Sequence, residues 1–215
     1  NPRLPLSSLS EKALEEADAE LREHPVVDFH SDALLWDRDL LRRSERGHVD
    51  LPRLAQGRVA IQMFTAVTRV PRGASLVENT DDSDLITPLT FLQLWPPATW
   101  TSPLQRALHQ ADKLRGFAAG SAGRLSVITT RDELDTFLRS RASDEAAVGA
   151  LLGIEGAHAL EGEPTNLDVL YAAGFRMVGL THFFDNEVGG SAHGLAKGGL
   201  TELGTQVVAR MGELG

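Results

Sequence analysis

The chain alternates between amphipathic segments and short, nearly continuous apolar runs. The first amphipathic segment, 9–25, carries leucine and alanine at helical spacing, with a capping box predicted at Ser8 and Glu11 and a stop at Pro25. The apolar run VVDFH follows at once and predicts a buried strand. The pattern then repeats, with strands predicted at 26–30, 58–67, 124–130, 146–156 and 175–182 and helices at 9–24, 103–119, 130–141, 166–174 and 200–215.

Strands that alternate with helices predict an α/β fold with a parallel sheet and right-handed crossovers. Residues 70–120 are less regular, and they predict a longer crossover that contains two helices. The pattern holds about five strand–helix units, fewer than a (β/α)8 barrel of roughly 250 residues requires. Two interpretations therefore stay open on this evidence: a complete smaller α/β domain, or the first part of a longer TIM-type barrel. In both, residues 1–215 form a single domain.

Charge and composition narrow the classes of function. The formal net charge of −9 argues against nucleic acid as the main partner, because a phosphate-binding surface needs an excess of Lys and Arg. Cysteine is absent, so any metal must be held by His, Asp and Glu. The absence of cysteine does not distinguish a cytoplasmic protein from a periplasmic or secreted one. The sequence contains neither a signal-peptide pattern nor an apolar run of the roughly 20 residues that span a bilayer. Because residue 1 is Asn rather than Met, we expect a trimmed or processed N-terminus.

Polar residues with metal-binding chemistry lie at the carboxyl ends of three predicted strands. His30 and Asp32 come after VVDF of the first strand, Glu155 after ALLGI of the fourth, and His182 after MVGLT of the fifth. The carboxyl ends of parallel strands form the edge on which such folds build active sites. Side chains two positions apart on a strand point to the same face, so we expect His30 and Asp32 to reach one ion together. Glu155 could complete that site or bridge two ions, and zinc is the usual metal for hydrolysis with such ligands.

Each of these residues also has a simpler interpretation. A His-x-Asp pair is short and occurs often by chance, and His182 alone fits a hydrogen-bonded histidine at a strand end. Glu155 is harder to explain without a ligand, because a carboxylate buried after five apolar residues is costly unless it is paired or metal-bound. His158 and Glu161 could orient the ligands or simply pack the loop. A second His-x-Asp pair ends at Asp50, for which a helix cap is the better explanation.

Five segments together resemble the membrane (renal) dipeptidase family of zinc peptidases. They occur in the expected order, from about residue 20 to the end of the chain, with His182 placed 27 positions after Glu155. The segments are VVDFHSDALLW, GHVDLPRLAQGRVAIQMFTAV, GIEGAHAL, YAAGFRMVGLTHFFDN and GLTELGTQVVARMGELG.

The resemblance implies a (β/α)8 barrel of the metal-dependent amidohydrolase type, of which this chain would hold about the first five strand–helix units. It implies an enzyme that hydrolyses dipeptides with two zinc ions. By motif, His30 and Asp32 would bind the first zinc, and Glu155 would bridge both ions and take part in catalysis. His182 would contact the substrate or the tetrahedral intermediate. A hydroxide that bridges the metals would attack the peptide carbonyl.

The family pattern also contains residues that this chain does not supply. Two histidines for the second zinc, an arginine for the substrate carboxylate and an aspartate for the leaving-group proton would follow Gly215, so we expect the chain to be the N-terminal part of a longer barrel. The implied substrate is a small dipeptide, including one with a D-residue in second position, and a homodimer is compatible with the resemblance. Two alternatives remain: another metal-dependent amide, lactam or lactone hydrolase on the same barrel, or an inactive family member that acts as a binding protein.

Overall fold

A computed structural model describes residues 9–215, and within this range five strands alternate with seven α-helices. The strands are β1 (Val26–Asp28), β2 (Val59–Val67), β3 (Leu125–Val127), β4 (Val148–Glu155) and β5 (Phe175–Val178). The helices are α1 (Glu11–Glu23), α2 (Leu51–Gln56), α3 (Ile86–Leu92), α4 (Pro103–Gly120), α5 (Arg131–Arg141), α6 (Asn166–Ala172) and α7 (Glu202–Leu214).

All strand pairs are parallel, as the alternation predicts. The hydrogen-bonded order is β1-β2-β4-β3, and β5 also pairs with β4. Strand β2 thus pairs directly with β4 and not with β3, its neighbour in the sequence. Because β2 occupies one edge of β4, the two short strands share the other edge: β3 pairs with 148–150 and β5 with 152–154. The α/β fold class and the five strand–helix units are confirmed, with a local departure from sequential strand order.

Strand β4 lies at the centre of the sheet and is apolar along nearly its whole length. A strand in a parallel sheet is covered by helices on both faces, which is why its sequence shows no alternation of apolar and polar residues. The main core packs Leu152 and Ile154 of β4 with Phe64 of β2 and with Leu114 of α4. A second cluster packs Phe137 of α5 on the start of the sheet. The sheet is therefore a rigid support for the loops at its carboxyl edge.

Local sequence signals set several helix starts. Thr130 and Glu133 form the predicted capping box of α5, and the carboxylate of Asp50 caps α2 by accepting from the backbone N–H of Arg53. The start of α1 differs from the prediction. Its N-cap is Ser10, whose hydroxyl accepts from the N–H of Ala13, whereas Ser8 lies outside the described residues.

The crossover between β2 and β3 contains α3 and α4, as predicted, with a 3-10 turn Pro97–Trp100 between them. A buried arginine, Arg106 on α4, ties this segment together. Its guanidinium donates to the Asp84 carboxylate at 2.6 Å and to the backbone oxygens of Thr68 and Thr99. The irregular crossover is thereby fixed over the carboxyl edge of the sheet, beside the predicted site.

Candidate metal centre

His30 and Asp32 follow β1 but are not part of it. The strand ends at Asp28, whose carboxylate accepts from the backbone N–H of His30 at 3.1 Å. Asp32 then precedes the 3-10 turn Ala33–Leu35. The expectation that the two side chains share one face of a strand is therefore wrong, because the chain has already left the sheet. They nevertheless converge in the loop, with His30 Nε2 lying 3.4 Å from Asp32 Oδ1.

The position of Asp32 is fixed from the neighbouring strand. Thr65, fully buried in β2, donates its hydroxyl to Asp32 Oδ1 at 2.5 Å, and the backbone N–H of Thr65 donates to the carbonyl of Ser31 at 2.9 Å. The sequence analysis did not identify Thr65. The available signal was a hydroxyl in an otherwise apolar buried strand, which needs a hydrogen-bond partner.

Glu155 ends β4 and enters the same site. Its backbone is in register with Val67 at the end of β2, so the side chain reaches the carboxyl edge of the sheet. Gly156 follows with φ +77°, a conformation that favours glycine, and a Cβ there would lie 2.5 Å from His158 Nδ1. The chain can therefore turn sharply behind the carboxylate without displacing the neighbouring histidines.

The loop after β5 brings the fourth predicted residue to the site. His182 lies four residues beyond the end of β5, and two backbone hydrogen bonds hold its loop against β4 and the turn that follows it. Gly179 N–H donates to Ile154 O at 2.9 Å, and Ala157 N–H donates to Leu180 O at 3.2 Å.

The two oxygens of Glu155 face two different imidazoles. Glu155 Oε1 lies 2.7 Å from His30 Nε2, and Oε2 lies 3.3 Å from His182 Nε2. Ligand atoms of His30, Asp32 and Glu155 all lie within 4.8 Å of one another, and within residues 9–215 they form the only group of three with this spacing. One nitrogen and two carboxylates in this arrangement are a suitable donor set for a divalent cation.

The electrostatics of the cluster also fit a bound cation. Burial raises the pKa of Glu155, the nearby Asp32 carboxylate raises it further, and His30 opposes this. Burial lowers the pKa of His182, which keeps its imidazole neutral at neutral pH. A half-buried carboxylate beside a second one is disfavoured unless positive charge lies between them. The residues present thus fit a metal on chemical grounds.

His158 lies next to this cluster without joining it. Its side chain is 4% exposed, its ring stacks on Phe184 at 4.6 Å, and burial lowers its pKa to about 4. Glu161 does not reach the metal cluster either: its carboxylate accepts from Ser102 Oγ and from the N–H of Leu104 at the start of α4. The other histidines lie elsewhere: His24 near Glu20, His109 against Trp95, His193 on the carbonyl of Leu76, and His48 before the capping Asp50.

Comparison with known proteins places the chain in a family. The sequence model described as membrane dipeptidase (peptidase family M19) matches residues 14–215, nearly the whole chain. The chain belongs to the membrane dipeptidase family. Among its relatives, a dipeptidase of Clonostachys rogersoniana, verJ, is 26% identical over 206 residues, which cover 91% of this chain and 48% of that protein. Dipeptidase 3 of Mus musculus is 27% identical over 226 residues, which cover 94% of this chain and 37% of that protein.

Solved structures of similar fold include a probable dipeptidase and a metallopeptidase. The probable dipeptidase PvdM of Pseudomonas aeruginosa superposes with a TM-score of 0.69 at 20% identity, covering 96% of this chain and 48% of that one. A metallopeptidase of Rhodobacter sphaeroides, liganded with a phosphinate mimic of L-Ala-D-Ala, gives 0.63 at 24% identity, covering 88% of this chain and 56% of that one. The chain thus spans about half the length of the relatives it matches. None of the helices described in residues 9–215 has the length and apolar character needed to cross a membrane.

Proposed function

We propose that the protein is a metal-dependent dipeptidase that hydrolyses the peptide bond of small dipeptides. The observation that carries the proposal is the convergence of His30, Asp32 and Glu155 within 4.8 Å at the carboxyl edge of the sheet, in a chain of the membrane dipeptidase family. A metallopeptidase of similar fold binds a mimic of L-Ala-D-Ala, which makes this dipeptide the first substrate to test.

Zinc is the metal that we propose, with two ions in the site. Imidazole nitrogen and carboxylate oxygen are ligands that zinc accepts at hydrolytic sites. His30 and Asp32 would hold the first ion. Glu155 would contact both, and this role is supported by its two oxygens, which face different sides of the cluster at His30 and His182. The metal would lower the pKa of a bound water and polarise the scissile carbonyl.

The protein's own residues would orient the ligands and stabilise charge. Thr65 holds the Asp32 carboxylate by a hydrogen bond from its hydroxyl. Neutral His182 would donate its Nε2–H to the substrate oxygen that becomes negative in the tetrahedral intermediate. Removing one such donor from an enzyme typically costs about 2.7–4 kcal/mol of transition-state stabilisation, or roughly 10²–10³ in kcat. His182 is thus proposed as a catalytic residue and not as a ligand of the first metal.

The decisive experiment combines metal content with turnover. We would measure zinc per chain by elemental analysis of the native full-length protein, and hydrolysis of L-Ala-D-Ala and L-Ala-L-Ala before and after chelation. About two zinc ions per chain and chelator-sensitive cleavage that returns with zinc are expected. A native protein without metal or without cleavage would refute the proposal, and cleavage of a lactam or lactone in place of both dipeptides would identify a different hydrolase.

The bridging role of Glu155 has its own test. Glu155→Gln keeps the size of the side chain but removes its charge, so zinc content and turnover should fall by orders of magnitude while the fold is retained. Glu15→Gln is the matched control, because Glu15 is exposed on α1, away from the cluster. Full zinc occupancy and normal turnover in Glu155→Gln would contradict the role of a bridging ligand.

A further inference from the structure

A cleft of about 890 Å³ opens beside the metal cluster, between the loops that follow β2, β4 and β5. We call it the Arg69 cleft. Its buried lining includes Arg106, His158 and Phe184, and its exposed lining includes Asp81 and Glu187. None of the four predicted site residues lines it, so the cleft is separate from the metal cluster. His158 lines the cleft and is also close to Gly156 and His182, so it lies on the side of the cleft nearest the cluster.

Arg69 is a half-buried cation without an anionic partner. Its guanidinium lies 5.0 Å from the centre of the Phe184 ring, and its Nη2 donates to the backbone carbonyl of Asp81 at 2.7 Å. No carboxylate of residues 9–215 lies within 4.0 Å of this guanidinium. Arg106, the other cation of the cleft, is already neutralised by Asp84 at 2.6 Å. Arg69 therefore has N–H donors that an anionic ligand can use.

His158 supplies a second, independent observation. Its side chain is 4% exposed, and neither ring nitrogen has a hydrogen-bond partner within the described part of the chain. Buried polar atoms are nearly always hydrogen-bonded, so two of them on one ring that borders a cleft indicate a bound water or a ligand. A neutral imidazole offers one donor and one acceptor. Phe184 contacts both groups, so the two lie close together in the lining of the cleft.

We propose that the Arg69 cleft binds the carboxylate of an amino acid or a short peptide, with Arg69 as its ion-pair partner and His158 as a hydrogen-bond donor. The exposed Asp81 and Glu187 at the cleft would repel a multiply charged anion such as phosphate. The same two carboxylates would attract an ammonium group, so a ligand with one carboxylate and one ammonium fits the whole cleft.

The carboxylate has two candidate sources. It belongs either to the acidic side chain of a dipeptide bound at the metal cluster or to a separate amino acid, such as a product of hydrolysis. The first source rests on the proposed dipeptidase function, whereas the second requires only binding. The experiments therefore measure binding and turnover separately.

The binding experiment uses L-alanine and L-alaninamide as probes, with saturation-transfer NMR on the metal-loaded native protein. Alaninamide has the ammonium group but lacks the carboxylate. We expect alanine to bind more tightly than alaninamide, and Arg69→Gln to weaken alanine binding by at least about tenfold, because a hydrogen bond between charged groups is lost. Arg72→Gln is the matched control, since Arg72 is exposed on the same loop and does not line the cleft. His158→Phe, which keeps a buried ring but removes both nitrogens, should also weaken alanine binding.

The turnover experiment compares L-Ala-L-Asp with L-Ala-L-Asn, and L-Asp-L-Ala with L-Asn-L-Ala. If Arg69→Gln raises KM about tenfold for an acidic dipeptide but not for its amide counterpart, the cleft is a subsite for a substrate side chain. If KM is unchanged but alanine binding is lost, the cleft binds a separate amino acid. Alanine binding that depends on Arg69 in a protein without dipeptidase activity would refute the proposed function but support the cleft. Equal alanine binding in the native protein and in Arg69→Gln, with unchanged KM ratios, would overturn the inference.

Discussion

The hydrogen bond from Thr65 to Asp32 allows a sharp test of how the fold prepares the metal site. Thr65→Val replaces a hydroxyl by a methyl group of similar size in a fully buried position of β2, and it removes the donor that lies 2.5 Å from Asp32 Oδ1. The backbone and the packing of β2 should stay as they are. The Asp32 carboxylate, however, would lose the contact that fixes its direction toward His30.

The expected loss can be estimated from the exposure of Asp32. Removing a group that orients a metal ligand typically reduces metal affinity by about 10–100-fold. The side chain of Asp32 is 37% exposed, so water can replace part of the lost hydrogen bond, and we expect the lower end of that range. A tenfold weaker affinity corresponds to about 1.4 kcal/mol. The stability of the metal-free protein should change by about 1 kcal/mol, because the partly exposed Asp32 carboxylate can accept a hydrogen bond from water in place of the lost hydroxyl.

The assay is a competition titration of zinc against a chromophoric chelator, together with urea unfolding of the metal-free protein. Thr90→Val is the matched control. Thr90 is also fully buried, but it donates its hydroxyl to the carbonyl of Thr87 in α3, away from the cluster. Zinc affinity should fall in Thr65→Val and stay unchanged in Thr90→Val. Equal affinity in the native protein and in Thr65→Val, within a factor of about two, would refute the idea that Thr65 positions the ligand.

Three further predictions concern Gly156 behind the cluster, the buried His158 and the cap of α2. Gly156→Ala would place a Cβ 2.5 Å from His158 Nδ1 at φ +77°, so the stability of the fold should fall by at least about 1 kcal/mol and zinc affinity should fall with it. Gly212→Ala is the control, because Gly212 faces open space on α7 and the change should be neutral or stabilising. A fully stable Gly156→Ala protein would contradict this prediction. Burial lowers the pKa of His158 from 6.5 to about 4, so the unfolded chain binds a proton that the folded one does not, and stability should fall by roughly 3 kcal/mol as the pH falls from 6.5 to 4. In urea unfolding of the metal-free protein, His158→Phe should lose less stability than the native protein as the pH falls. Identical pH profiles of the two proteins would exclude His158 as the cause of the loss. Asp50→Ala removes the fully buried cap of α2 and leaves Arg53 without its carboxylate partner. Thermal unfolding should therefore report a loss of about 3 kcal/mol in stability. A loss below about 1 kcal/mol would show that water replaces the missing carboxylate.

The sequence by itself was sufficient for the fold class and for naming most residues of the candidate site. Parallel strands that are covered on both faces produce continuous apolar runs, so β2 and β4 were predicted with nearly correct bounds. The sequence also predicted which polar residues at strand ends have a partner or ligand, because a carboxylate such as Glu155 after an apolar run is costly to bury unless it is compensated. A resemblance carried by five ordered segments then indicated the family, which the match over residues 14–215 confirms.

Only the tertiary structure decided how these residues meet. His30 and Asp32 converge through a loop and a hydrogen bond from Thr65 on the next strand. This contact could not be predicted from the spacing of residues along β1. Likewise, β2 pairs with β4 and not with β3, so the order of the strands depends on pairing partners distant in the sequence. The Arg69 cleft was not predicted at all, since its walls come from three separate loops. Local patterns determine secondary structure and the type of chemistry, whereas contacts between distant segments determine which side chains share a site.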